Sequence, residues 1–441
     1  MRDLGWYLRA WAGKTGLEPL RLTDDERNGI YGRVEPRGLI QFPAIMPILG
    51  GLEPYGELRD AVRGSVLHDD AILEFAYDWR LPVAHNARIF AKEAGEHLRH
   101  WRRHEAHSAS QRTQTDEEIK LVVVAHSMGG LVVQEACALS APESGLARDI
   151  RWTMALGAPF SGALKVALLL AYGKLGRLPL PRARAQKLAA TLPGVYDLLP
   201  VYRCVDEGGT ARRLGERDAG TLRCSEVEMD RALAARLRAR QAPLPNLVQV
   251  IGTGQQTLQS LTIAHGRITG HRHTCKPAAV GDGIERMDLS GDGTVSTEAA
   301  GIPGTQTVPV FQSHGGLSSA PEVTTIVAHF LKHGVTGEKI GPWLGEPGPG
   351  VAVPDSVAVG EPFDIAIEGV ERAGAARCQV TSLVEGRPVR MSPVVESGGS
   401  FVVRAELDEP GFYRVEVAAG SSSFVTQHLL ATGGEPHERP G

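Results

Sequence analysis

Ser127 stands where an apolar run, Val122-Val123-Val124-Ala125-His126, stops, and Met128-Gly129-Gly130 follows it. A helix-like apolar pattern then continues from Leu131 through Ala136 to Leu139. Strand, turn and helix in that order are the layout of a nucleophile elbow. The turn puts the serine in an unfavourable backbone conformation, so the residues two before and two after it, Ala125 and Gly129, are expected to have to be small. It lifts the hydroxyl off the sheet beside a helix N-terminus, where the backbone N–H of Met128 is placed to stabilise an oxyanion. A strand-to-helix turn that merely tolerates a serine is the blander reading, and three independent features argue against it.

A serine hydroxyl is a weak nucleophile. It needs a base, and the base needs an orienting carboxylate. In chains with such an elbow the acid and then the histidine follow the serine. The stretch 287–295, Met-Asp-Leu-Ser-Gly-Asp-Gly-Thr-Val, places Asp292 in a tight glycine-rich turn, where it is expected to hold an imidazole without competing partners. Asp282, in another Gly-Asp-Gly, and Asp288 are its rivals. The stretch 310–316, Val-Phe-Gln-Ser-His-Gly-Gly, ends an apolar run with His314 on a flexible loop able to swing over Ser127. His85, His97, His100 and His107 lie in polar or helical contexts, and His126 is expected to point the other way along the turn.

These residues need a frame. Residues 73–77 read as a strand, and Ala87, Phe90, Ala94, Leu98 and Trp101 then repeat at helical spacing. Residues 119–124 form a near-continuous apolar strand, as in a sheet covered on both faces. Further strands are expected at 151–156, at 247–251 before Gly252-Thr253-Gly254, and at 307–312, with a helix over 321–332. Strands alternating with helices predict a mostly parallel sheet in an α/β fold.

Between Phe160 and Pro245 the alternation fails. This helical segment carries Val166-Ala167-Leu168-Leu169-Leu170 and the basic residues Lys174, Arg177, Arg182, Arg184 and Lys187. An insertion after a strand at the carboxyl edge of such a sheet reads as a cap or lid over about 160–245. Its basic cluster offers peripheral contact with anionic headgroups, against the plainer reading of solvated surface helices.

Gly345-Glu346-Pro347-Gly348-Pro349-Gly350 marks a boundary. Beyond it, short β-type runs at 363–367, 378–384, 401–405, 413–417 and 423–429, separated by turns, predict a β-sandwich of roughly immunoglobulin size. The expected division is 1–342, 343–432 and a disordered tail, 433–441. The sandwich holds no cluster of catalytic residue types and is assigned to docking, stabilisation or a protein partner.

A chain of 441 residues is too long for one ordinary core, and 42% hydrophobic with 22% charged residues indicates a globular rather than a disordered chain. The net charge of −4 gives no reason to expect a nucleic-acid partner. No run of about eighteen apolar residues spans a membrane, and Met1 to Trp6 lacks the features of a signal peptide, so a cytoplasmic location is expected. The five cysteines form no Cys-x-x-Cys pair, which argues against a structural metal site and for reduced thiols; Cys204 and Cys224 would pair only in an exported protein. No cofactor is implied.

Tyr77-Asp78-Trp79-Arg80, Ala125-His126-Ser127-Met128-Gly129-Gly130, Gly157-Ala158-Pro159-Phe160-Ser161-Gly162 and Gly291-Asp292-Gly293-Thr294-Val295 stand in the order and spacing of a known family. Together they resemble the lecithin:cholesterol acyltransferase family of α/β-hydrolases, its bacterial members in particular, over roughly residues 1–335. The resemblance implies an α/β-hydrolase fold with a helical lid and a triad of Ser127, Asp292 and His314. It further implies transfer of an acyl chain from a lipid ester to an alcohol or to water. Met128 would supply one oxyanion donor, and Tyr77, Asp78, Trp79 and Phe160 would line the substrate pocket, although Asp78 and Arg80 also read as a plain salt bridge.

The chain departs from the family at one point. The family's Pro-Gly-x-x-Gly loop, which gives the second oxyanion donor, has no clean match before Tyr77. Either the chain begins late relative to the family, or Pro47-Ile48-Leu49-Gly50-Gly51 substitutes, with Leu39 to Phe42 as its strand. Two alternatives to a lipid-acting enzyme follow: a non-catalytic binding protein with an incomplete oxyanion hole, and an esterase on small soluble esters.

Overall fold

The computed structural model describes residues 20–28, 30, 36, 38–39, 45–46, 51–52, 55–106, 119–139, 145–173, 182–279, 281–334, 349–383, 385–389, 391–397, 400–419 and 424–432. Among the described residues, four parallel strands form the central sheet: β1 (Leu121–His126), β2 (Ile150–Leu156), β3 (Leu247–Thr253) and β4 (Gln306–Phe311), in the spatial order β4-β3-β2-β1. The register sets Val124 against Met154, and Met154 against Val248.

Period-two alternation sends successive side chains to opposite faces. Met154 and Leu156 therefore join Val248, Val250, Val308 and Val310 on one face, under α1 (Gly56–Arg63) and α6 (Pro321–His333). Ala125 and Ala155 lie on the other, under α2 (Val83–Trp101) and α3 (Met128–Leu139). Ala87, Phe90, Ala94 and Leu98 of α2 are buried, as their spacing predicts.

Among the described residues, 73–77 pair in no strand ladder. Leu73, Phe75 and Tyr77 pack against the core. Alternating apolar residues record burial on one side and cannot tell an extended segment from a paired one.

The insertion between Phe160 and Pro245 holds α4 (Leu164–Tyr172), α5 (Glu226–Ala239) and shorter helices. Helix α4 is buried along nearly its whole length, and so belongs to the main core. Arg182, Arg184 and Lys187 are exposed, while Lys174 and Arg177 lie outside the described residues.

The C-terminal region is built of two four-stranded sheets. One has the order β5 (Gly350–Ala352), β7 (Phe363–Glu368), β10 (Ser400–Ala405), β9 (Val395–Ser397). The other runs β6 (Ser356–Ala358), β12 (Phe424–Thr432), β11 (Gly411–Ala419), β8 (Ala376–Ser382). All pairings are antiparallel except β6 with β12. Ile365, Ile367, Val380, Val403, Val415, Val417 and Leu429 fill a core of their own, the arrangement of a β-sandwich. The expected tail from 433 lies outside the described residues.

Candidate active site

All the pieces of the site sit at the carboxyl ends of the parallel strands, where a crevice forms in open α/β sheets. Ser127 follows β1 directly and has φ 54°, a left-handed conformation rare outside glycine. It is held there because its N–H donates to the Leu156 carbonyl at 2.9 Å, while helix α3 starts at the next residue. Met128, as the first residue of that helix, has an N–H with no acceptor one turn earlier in the helix.

His314 lies just beyond β4 and Asp292 in the turn before residues 297–300. The Ser127 Oγ–His314 Nε2 distance is 2.8 Å and the His314 Nδ1–Asp292 Oδ2 distance is 2.7 Å. A carboxylate only accepts, so Nδ1 carries the imidazole proton and Nε2 is left to accept from the serine hydroxyl. Ser127, Asp292 and His314 are only 2%, 2% and 3% exposed.

Asp292 has more partners than its turn suggested. Oδ1 accepts the amides of Thr294 at 2.8 Å and Val295 at 2.7 Å, and this fixes the carboxylate so that Oδ2 faces the imidazole. The two rivals lie elsewhere in the network. Asp288 accepts the Ser290 amide and the Gln259 side-chain amide, and Asp282 is exposed.

His126 does not point away. Its Nε2 lies 3.1 Å from the His314 carbonyl oxygen and its Nδ1 lies 2.9 Å from the Tyr55 hydroxyl. The carbonyl can only accept, so Nε2 donates and Nδ1 accepts from Tyr55. The imidazole thus props the backbone of the histidine loop. Nothing in the sequence pairs Tyr55 with His126, because 71 positions separate them.

At the elbow, glycine itself is demanded at 130 rather than at 129. A Cβ on Gly129 would meet the Ala125 Cβ at 3.8 Å, an ordinary contact. A Cβ on Gly130 would lie 2.4 Å from the Ala158 Cβ. Close approach of α3 to the segment after β2 is therefore what demands glycine. Gly157 at φ +57° and Gly252 clear the floor under the acid and base: a Cβ on Gly157 would be 3.3 Å from His314 Nδ1, and one on Gly252 would be 2.6 Å from the Asp292 Cβ.

The residues expected to line the pocket behave differently from one another. Tyr77 brings its hydroxyl to 3.9 Å from where a Gly129 Cβ would stand, beside the elbow. Phe160 is fully buried over Gly130. Trp79 packs against the core. The two oxygens of Asp78 are taken by Arg80, through Nε at 2.9 Å and Nη2 at 2.7 Å, and Arg80 also reaches Glu26 at 3.1 Å. This buried ion cluster ties the 77–80 segment to the N-terminal region. Pro47 to Gly50, the candidate second oxyanion loop, and most of 39–42 lie outside the described residues.

All five cysteines are free. Burial pushes the Cys204 thiol up to about 12 and Cys137 to about 11, so neither is a nucleophile at neutral pH.

Residues 62–212 match the lecithin:cholesterol acyltransferase family, a stretch that contains the elbow and stops short of Asp292 and His314. No curated protein matches the chain. Among solved structures, the phospholipase PlaB from Legionella pneumophila is similar at 9% identity, covering 91% of this chain and 96% of its own, with a TM-score of 0.32. The mature Bacillus licheniformis lipase BlEst2 is similar at 14% identity, covering 56% of this chain and 72% of its own, with a TM-score of 0.30. The Tle4-Tli4 complex is similar at 12% identity, covering 58% of this chain and 67% of the matched chain, with a TM-score of 0.38. With its parallel sheet and its elbow, the chain has an α/β-hydrolase fold, and within it residues 62–212 are similar to the lecithin:cholesterol acyltransferase family.

Proposed function

We propose that the protein transfers the acyl group of a lipid or other long-chain ester to water or an alcohol through an acyl-enzyme on Ser127. The carrying observation is the continuous chain Ser127 Oγ–His314 Nε2–Asp292 Oδ2, with spacings of 2.8 and 2.7 Å on a serine held at positive φ. The family match supports acyl-ester chemistry on lipids in general.

On this reading His314 Nε2 takes the hydroxyl proton as Oγ attacks the ester carbonyl carbon. The developing oxyanion is stabilised by the Met128 N–H at the helix N-terminus. Collapse breaks the ester C–O bond, and His314 returns the proton to the leaving alcohol. Water or a second alcohol then attacks the acyl-serine, His314 again taking its proton; the acyl C–Oγ bond breaks and His314 returns the proton to Ser127 Oγ. Asp292 keeps Nδ1 protonated and stabilises the imidazolium in both halves. The part of the segment 160–245 outside the core helix α4 acts as a cap over the site.

A fluorophosphonate probe tests the nucleophile. The expected result is labelling of wild type and none of Ser127→Ala. A chain-length series of nitrophenyl esters tests the substrate class, with rates rising from acetyl to longer chains. Preference for acetyl would move the reading to a small-ester esterase. A folded protein that neither labels nor turns over any ester, yet binds lipid equally well as Ser127→Ala, would replace it with a binding protein.

A further inference from the structure

The base and acid loops are both tied to the C-terminal sandwich, through buried side chains next to His314 and Asp292. Gln312 and Ser313 immediately precede the histidine. The Gln312 side chain accepts the Thr426 amide of β12 at 2.8 Å and the Ser313 amide at 2.9 Å through Oε1, and donates from Nε2 to the Phe424 carbonyl at 3.1 Å. The Ser313 hydroxyl donates to the Thr426 carbonyl. On the acid side, Gln255 donates its backbone N–H to the Gly291 carbonyl at 2.9 Å, adjacent to Asp292. Its side chain accepts the Val351 amide of β5 at 2.9 Å and donates to the Pro349 carbonyl at 3.3 Å. Gln312 and Gln255 are 0% and 2% exposed. The two loops are joined by the His314 N–H, which donates to the Asp292 carbonyl at 2.8 Å.

We propose that the sandwich is a working part of the catalytic site: Gln312, Ser313 and Gln255 are positioning residues through which β12 and β5 hold the imidazole and carboxylate in register with Ser127. This rests on the serine mechanism above. Three observations favour a positioning role over simple adhesion between regions. The bonded residues are the immediate neighbours of the base and acid. The linking groups are polar and fully buried, so each lost partner is felt. The loop is also packed to its limit: a Cβ on Gly316 would stand 2.3 Å from Gln312 Oε1 and 2.8 Å from the Thr426 carbonyl oxygen. Without the strand the histidine loop keeps the Tyr55–His126 prop on one side only, and small misplacements of reacting groups cost large factors in rate.

The test uses the full chain and a short soluble nitrophenyl ester, so that substrate capture is not limiting. Ser313→Ala and Gln312→Ala are expected to lower kcat by about tenfold to a hundredfold with KM little changed, and to slow fluorophosphonate labelling of Ser127 in proportion. Ser313→Thr, which keeps the hydroxyl, is expected to retain most of the rate. Val380→Ala in the sandwich core, away from the loops, loosens the same region and is expected to leave kcat within twofold (about 0.4 kcal/mol in the barrier). Folded Ser313→Ala and Gln312→Ala with wild-type kcat would overturn the proposal. So would a Val380→Ala loss as large as theirs, because stability alone would then explain it. If Gln312→Ala fails to fold, Ser313→Ala, which removes a single hydroxyl, decides alone. A wild-type protein inert to ester and probe would instead overturn the serine mechanism, a different and separable result.

Discussion

Asp292 offers one carboxylate oxygen to His314 Nδ1, at 2.7 Å, and commits the other to the amides of Thr294 and Val295. An amide at this position keeps the oxygen that the loop amides need but would present an NH₂ to the imidazole, or the reverse. Asp292→Asn is therefore expected to fold normally and to lower kcat by about 10⁴, because the wrong imidazole tautomer faces Ser127. Steady-state kinetics beside a thermal melt checks this. An unchanged melt with near-wild-type kcat would remove Asp292 from the mechanism.

Glycine is required at 130 and dispensable at 129. Gly129→Ala meets only ordinary contacts, and as a helix residue it is expected to hold or raise stability by up to about 1 kcal/mol. Gly130→Ala drives a methyl into Ala158 and is expected to cost about 1–3 kcal/mol and to disturb the elbow. Urea titrations of the two variants, with kcat measured alongside, discriminate them. Equal stabilities would contradict the packing.

Arg80 forms a buried ion cluster with Asp78 and Glu26. Arg80→Met removes the guanidinium that both buried carboxylates contact and is expected to destabilise by about 3–5 kcal/mol. Replacing all three with apolar residues of matching volume is expected to recover most of that loss, because the desolvation cost disappears with the charges. Chemical denaturation of both variants is the measurement, and a mild single-variant effect would argue that the cluster is hydrated.

Asp206 is bonded by Arg286 at 2.6 and 2.7 Å, and this pairing holds its carboxyl well below the usual carboxylate range. A depressed folded-state pKa gives stability that is present above the unfolded value, about 4, and lost as pH falls through the folded value. Asp206→Asn is thus expected to be less stable than wild type at pH 7, with the gap narrowing below about pH 4. Urea midpoints for the pair at both pH values test it. A constant gap would assign the effect to packing.

The thiols should be inert in the folded protein. Burial pushes Cys137 and Cys224 to about 11, and Cys204 and Cys378 to about 12. A thiol reagent at about pH 8 is expected to react with these four slowly and to complete its reaction only on addition of denaturant. A fast phase from any of the four in native buffer would show that its cover opens.

Much of the architecture was legible along the chain because it depends on near neighbours. Apolar period and glycine punctuation located β1 to β4, helices α2, α3 and α6 and the sandwich strands β7, β8, β10, β11 and β12 to within a few residues, but not the short strands β5, β6 and β9. The order of serine, acid and histidine pointed to the three groups that the fold brings within hydrogen-bonding distance. Other relationships were hidden because they join residues remote in sequence. Tyr55 with His126, Gln312 with Thr426 and Gln255 with Val351 are ordinary polar residues until folding buries them together. Local sequence thus determined what each segment could become and which side chains carry chemistry. Only the tertiary structure decided which distant backbones hold the base and acid in place, because a hydrogen bond across more than a hundred positions leaves no period to read.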